Sequence, residues 1–242
     1  MWRRSLIVVI YFVPLIASAT TIDFYFETYP PWLMLNPPST AMTGIAVEEV
    51  TEMMRRAKWE FTIEHTSQAS SYEHVRNNIT GCSFPVFRHE AKATLYTWVM
   101  PMAEENWVAY GRSDDHRNPK NLAELKPYVI GSYLKAGSGT ELAARGFNIE
   151  FSARDEDNPN LLINKRLDYW ITTEIHGDYM IQQLGLQKKI TKQFVVFRRG
   201  LNLMCNLNMD KKLVETMSAI FKEMELDGTN EKILNKYKLS PP

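Results

Sequence analysis

Apolar residues recur along this chain at two periods, and the periods alternate. Thr21 to Phe26 alternates apolar with polar and is rich in β-formers, which predicts a first strand. Tyr29-Pro30-Pro31-Trp32 breaks it, and Asn36-Pro37-Pro38-Ser39 extends the loop. Ile45, Val47, Val50, Met53 and Met54 then recur at helical spacing, with Thr43 as the N-cap. Arg55, Arg56 and Lys58 fall in the last turn, where the helix dipole favours cations. Short strands are predicted at 60–64, 82–86 and 107–110, with a helix at 70–76. Gly111 to Pro119 is polar and turn-rich and predicts a lobe boundary. Beyond it the rhythm restarts, with strands at 128–132, 148–151, 167–172, 190–197 and 201–206 and helices at 140–145, 159–164 and 175–184. The clearest amphipathic helix is 210–226, with Leu213, Met217, Ile220, Phe221 and Met224 on one face. A last helix runs from about 230 to 237.

Strands alternating with helices predict an α/β fold with a mainly parallel sheet in each of two lobes. In such folds ligands sit beyond the carboxyl ends of the strands or in the cleft between lobes. The pattern of the first twenty residues is different. A basic start through Arg3 and Arg4, an apolar run from Leu6 to Ile16 and the A-x-A site Ala17-Ser18-Ala19 predict a secretory signal peptide cleaved after Ala19. The run is shorter than the ~20 apolar residues a membrane span needs. The remaining chain is expected to be exported and soluble.

Composition narrows the function. Lys plus Arg and Asp plus Glu both total 28, and loss of the signal arginines leaves the mature chain slightly acidic. No basic excess exists to bind nucleic acid. Hydrophobic residues at 45% argue against disorder. The two cysteines, Cys82 and Cys205, could pair in an oxidising compartment or remain two buried thiols. The five histidines form no H-x-x-x-H pair, no C-x-x-C is present, and no G-x-S-x-G or P-loop spacing occurs. No cofactor or metal is expected.

Four motifs, in order, resemble the family 3 periplasmic solute-binding proteins, the amino-acid-binding kind served by ABC importers. They are Tyr29-Pro30-Pro31-Trp32 with Gly44-Ile45-Ala46-Val47-Glu48, then Cys82 to Lys92 with Trp98-Val99-Met100-Pro101. Lys165-Arg166-Leu167-Asp168 and Asp227-Gly228-Thr229 with Lys236-Tyr237 complete the set. The likeness is greatest to the short, stand-alone members. It implies a two-lobed (type II) fold, with 20–110 and 200–242 in the first lobe and 111–199 in the second.

The resemblance also implies a site. An amino-acid carboxylate needs a fixed cation. The family's anchoring Arg falls on Lys92, with Arg88 at the motif's first Arg and His89 where a Ser or Thr usually stands. The family's ammonium-binding acid falls on Thr173, with Glu174 next to it. Tyr29 and Trp32 are candidates for an aromatic wall, with Tyr72 and Trp107 as secondary ones. Asp168 is expected at a strand end, Trp98 and Trp170 in the core, and Glu48 as a dipole-favoured first-turn residue. The expectation is a monomeric, non-enzymatic binder of a small solute, with a membrane permease or receptor as partner. A ligand-sensing module is the alternative, and a dehydratase-type enzyme on the same fold a further one.

Overall fold

The computed structural model describes residues 21–36, 41–88, 92–134 and 136–237, with backbone alone for Met100 and Pro101. The predicted signal, the loop residues 37–40 and His89-Glu90-Ala91 lie outside the described residues.

The strands are β1 (Ile22–Phe26), β2 (Met34–Leu35), β3 (Met42–Thr43), β4 (Phe61–His65), β5 (Gly81–Phe87), β6 (Thr97–Arg112), β7 (Val129–Tyr133), β8 (Asn148–Ser152), β9 (Tyr169–Thr173) and β10 (Ile190–Cys205). The helices are α1 (Ile45–Ala57), α2 (Gln68–Asn77), α3 (Gly137–Ala144), α4 (Asn158–Ile163), α5 (Glu174–Gln183), α6 (Lys211–Leu226) and α7 (Thr229–Tyr237). Eight strands form one sheet in the order β4-β1-β5-β10-β6-β9-β7-β8, and β2 and β3 form a small hairpin.

The sheet has two similar ends. At one, β1 pairs parallel with β4 and β5; at the other, β7 pairs parallel with β8 and β9. Between them the pairs β5·β10, β10·β6 and β6·β9 are antiparallel. A parallel unit thus stands at each end, and the two are continuous through β6 and β10, which each run 16 residues through both ends. The alternation that marks a strand is interrupted in β6 by Glu104-Glu105-Asn106 and in β10 by Arg198-Arg199-Gly200, so the sequence shows only fragments of each. Register shifts in the β6·β10 ladder lie between Lys192 and Phe194, Val195 and Phe197, and Leu201 and Met204. Gly111 and Arg112 belong to β6, and the polar turn follows them.

One expectation is corrected, and one open alternative is resolved. Thr43 lies in β3 and does not cap α1; the cap position is Gly44, with no side-chain cap bond. Gly44 has φ 128° and a Cβ there would meet the Trp32 carbonyl oxygen at 2.4 Å, so only glycine fits. Cys82 and Cys205 face each other across the β5·β10 ladder and are joined in a disulfide.

The largest core cluster packs Phe24, Phe26, Leu33, Met53 and Met54 with Met217, Phe221 and Met224 of α6. A second packs Tyr110, Leu162, Trp170 and Ile181 between β6, β9, α4 and α5. Trp170 is buried and Trp98 half-buried. Among the described residues no helix is long and apolar enough to cross a membrane, and no group of three metal-ligating side chains converges.

Candidate functional site

The carboxyl ends of β1, β5, β7 and β9 face one another across the middle of the sheet. The loops that leave them enclose a cavity of about 60 Å³. Tyr29, Gln68, Ser83 and Phe84 line it from the β1–β5 end, Tyr133, Ser138, Asp155 and Thr173 from the β7–β9 end, and Trp107 from β6. A wider hollow of about 400 Å³ adjoins it and shares Glu27, Tyr29, Tyr133 and Asp155.

Contacts bridge the two ends around this cavity. The Tyr29 hydroxyl lies 3.3 Å from Thr172 Oγ1 and 3.0 Å from Thr173 Oγ1. Its ring stacks on His176 at 4.1 Å. His176 Nδ1 is 2.5 Å from the Pro30 carbonyl; a carbonyl only accepts, so Nδ1 carries the proton. Tyr179 donates to Met34 Sδ, and Arg199 forks onto Glu141 at 2.6 and 2.8 Å. Burial pushes the phenols of Tyr29 and Tyr133 well above the ordinary tyrosine value, so both stay neutral hydroxyls.

Behind the β9 wall lies a buried polar network. Asp155 is 4% exposed; its Oδ1 accepts from Asn158 Nδ2 and Trp170 Nε1, both at 2.8 Å. Its Oδ2 accepts from Thr172 Oγ1 at 2.5 Å and lies 3.5 Å from His176 Nε2. Glu105, in β6, accepts from the Ile175 amide at 3.4 Å. Burial pushes its carboxyl up to about 8, with Glu174 and Asp178 adding to the rise and bonds from Thr173 and Ile175 opposing it.

The structure brings together only part of the predicted site. Tyr29 and Thr173 line the cavity and touch each other, and Trp107 lines it too. Trp32 is 1% exposed and packs edge-on against Phe84 in the core. Tyr72 packs on Tyr96, and burial raises its phenol. Lys92 places its Nζ 3.2 Å from the centre of the Tyr72 ring, and burial lowers its pKa. Arg88 is exposed, lies over Trp98 and lines a separate surface hollow with Glu104 and Arg198. Glu174 turns away from the cavity; burial alone would raise its pKa, but bonds from Lys192 and Asn106, each at 2.7 Å, hold it below the usual range. Asp168 sits at the start of β9, accepting from the Val129 amide and Arg117. Glu48 binds the Tyr237 hydroxyl at 2.6 Å and Lys236, tying α1 to α7.

Asp155, Thr172 and His176 went unseen in the sequence. Asp155 stands in the polar run Arg154 to Asp157, which reads as a turn. The available signal was its position three residues before Asn158-Pro159, a helix start.

A cavity at the strand carboxyl ends, between two three-stranded parallel units joined by two long antiparallel strands, defines the architecture. The fold is that of the periplasmic binding proteins. The chain is similar to a histidine kinase sensor domain with similarity to periplasmic binding proteins, at a TM-score of 0.82 and 16% identity over 92% of this chain and 99% of that one. It is similar to a mutant of ArgBP from T. maritima, at a TM-score of 0.77 and 14% identity over 90% and 94%. It is also similar to an arginine 3rd transport system periplasmic binding protein from Legionella pneumophila, at a TM-score of 0.75 and 16% identity over 91% and 100%. No family model matches the chain, and no curated protein matches it by sequence. The likeness is one of fold, and at that level it agrees with the resemblance carried by the motifs.

Proposed function

We propose that the chain is an exported, non-enzymatic binding protein that closes two lobes on a small polar solute, an amino acid or a related carboxylate. The observation that carries this is the cavity at the strand carboxyl ends, walled from both ends of the sheet by hydroxyls and rings. The lobes are 20–110 with 200–242, and 111–199, and closure bends the β6·β10 ribbon. Contacts such as Tyr29 to Thr172 and Thr173 form only when the lobes meet, so a ligand that bridges them shifts the population toward the closed form. The protein is placed in the periplasm after cleavage behind Ala19, as a monomer that hands its solute to a membrane permease for ABC-type uptake.

A second reading is a ligand-sensing module for a membrane receptor, favoured by the similarity to a kinase sensor domain. Its binding chemistry would be the same, and co-purification with a permease or a receptor separates the two. Arg88 follows the cavity residue Phe87, and Lys92 rests on Tyr72, the neighbour of the cavity residue Ser71. We assign carboxylate anchoring to this pair. A thermal-shift screen of amino acids, small carboxylates and polyamines should raise Tm with at least one ligand. A flat screen overturns the binding reading. Arg88→Ala and Lys92→Ala should abolish any response to carboxylates, and unchanged affinity in both moves the anchor elsewhere.

A further inference from the structure

We infer that the cavity is a site for a protonated amine head group, held against an acceptor wall formed by Asp155, Thr172 and Tyr29. This rests on the binding reading above and names the chemistry of its ligand.

The argument follows hydrogen-bond protons. The indole of Trp170 and the amide nitrogen of Asn158 can only donate, and both are aimed at Asp155 Oδ1. They hold Asp155 as a buried acceptor on the wall shared by the inner cavity and the outer hollow. Thr172 has one hydroxyl proton and spends it on Asp155 Oδ2. Towards Tyr29 it can therefore only accept, and the nearer Thr173 hydroxyl, at 3.0 Å, gives its proton to Glu105, so Tyr29 turns its own proton to the threonine pair and keeps a lone pair over. The wall presents acceptors. From the other end of the sheet, Gln68 lines the same cavity with an amide oxygen that has no hydrogen-bond partner among the described residues.

A ligand that satisfies these groups must donate. An ammonium or guanidinium does so, and a carboxylate does not. The positive charge, stripped of water, is balanced by Asp155 and by the ring faces of Tyr29 and Tyr133. His176 Nε2 lies 3.5 Å from Asp155 Oδ2. The inner cavity holds on the order of four waters' volume, which suits a head group with a short stem. The rest of the ligand extends into the outer hollow beside Glu156.

The test is isothermal titration calorimetry, with thermal shift, on the purified protein with putrescine, agmatine, arginine, succinate and glucose. At least one amine should bind, with Tyr29→Phe weakening it about tenfold and Asp155→Asn abolishing it. Tyr29→Phe keeps the ring and removes only the oxygen. Binding of agmatine and putrescine points to a free amine as source; binding of arginine alone points to an amino acid whose carboxylate is held elsewhere. If Asp155→Asn fails to fold by circular dichroism, Tyr29→Phe and Gln68→Leu decide. The assignment is overturned if succinate or glucose binds while no amine does, or if amine affinity stays within twofold of wild type in both Tyr29→Phe and Gln68→Leu. Silence from all five probes overturns the assignment, and a flat thermal-shift screen of amino acids, small carboxylates and polyamines overturns the binding reading with it.

Discussion

The two ends of the sheet share a plan and differ in what they bury. The end built on β1, β4 and β5 fills its interior with rings and thioethers and is stapled by Cys82–Cys205. The end built on β7, β8 and β9 buries Asp155, Asn158, Thr172, Thr173 and His176 close to the cavity. Apolar packing is non-directional and tolerates exchange of similar shapes. A hydrogen-bonded network fixes each proton and each lone pair. The first end therefore supplies a densely packed, ring-lined wall, and the second a directional, hydrogen-bonded one.

That contrast can be broken most severely at the staple. The Cys82–Cys205 bond closes a loop spanning 123 positions. Replacing both cysteines with serine should cost about 4 kcal/mol through freed unfolded-state entropy, read as a lower urea midpoint. A midpoint unchanged under reductant and in the double mutant would show that packing alone holds the first end.

Glu105 tests the second end through pH. Its folded pKa of about 8 lies above the ordinary 4.5. Below 4.5 the carboxyl is neutral folded and unfolded. Between 4.5 and 8 only the unfolded chain ionises, so stability falls, and the loss is complete above 8. The total is on the order of 5 kcal/mol. Glu105→Gln should flatten this fall in Tm between pH 5 and 9, and an equally steep fall in the variant would place the titrating group elsewhere.

Asp155→Ala should follow, at about 3 kcal/mol, because it strands the donors of Trp170, Asn158 and Thr172. A loss below about 1 kcal/mol in urea unfolding would show a network far weaker than its geometry. The smallest effect is expected at Arg199→Ala, which removes a half-exposed fork to Glu141 at about 1 kcal/mol. It should enlarge the molecule in small-angle scattering as the closed form is depopulated; identical profiles would remove the pair from any role in closure.

Most of the helices and the short strands were legible because period alone dictates them. The amphipathic stripe of α6 and the alternation of β1 each bury one face, and no other pairing hides it. The long strands were not, because paired backbone holds Glu104-Glu105-Asn106 and Arg198-Arg199-Gly200 extended against each other, whatever their side chains prefer. The site was half legible. Tyr29 and Thr173 stood in motif positions, whereas Arg88 and Lys92 occupy motif positions whose side chains lie outside the cavity in this structure. Asp155 carried no motif, since its role comes from Trp170 and Thr172 on a strand distant in sequence.

The disulfide has a topological consequence. Residues 83–204 form a covalently closed ring, joined where β5 and β10 pair, that carries part of the first end and all of the other. The whole β7–β9 end thus hangs within that ring from a single clasp. A protease cut in the exposed turn near Asp114 would open that ring without releasing a fragment, and the nicked protein would run as one species until reduced. The same geometry makes the far end a cassette: a differently walled β7–β9 unit, spliced between the middles of β6 and β10, would keep the clasp and the first end.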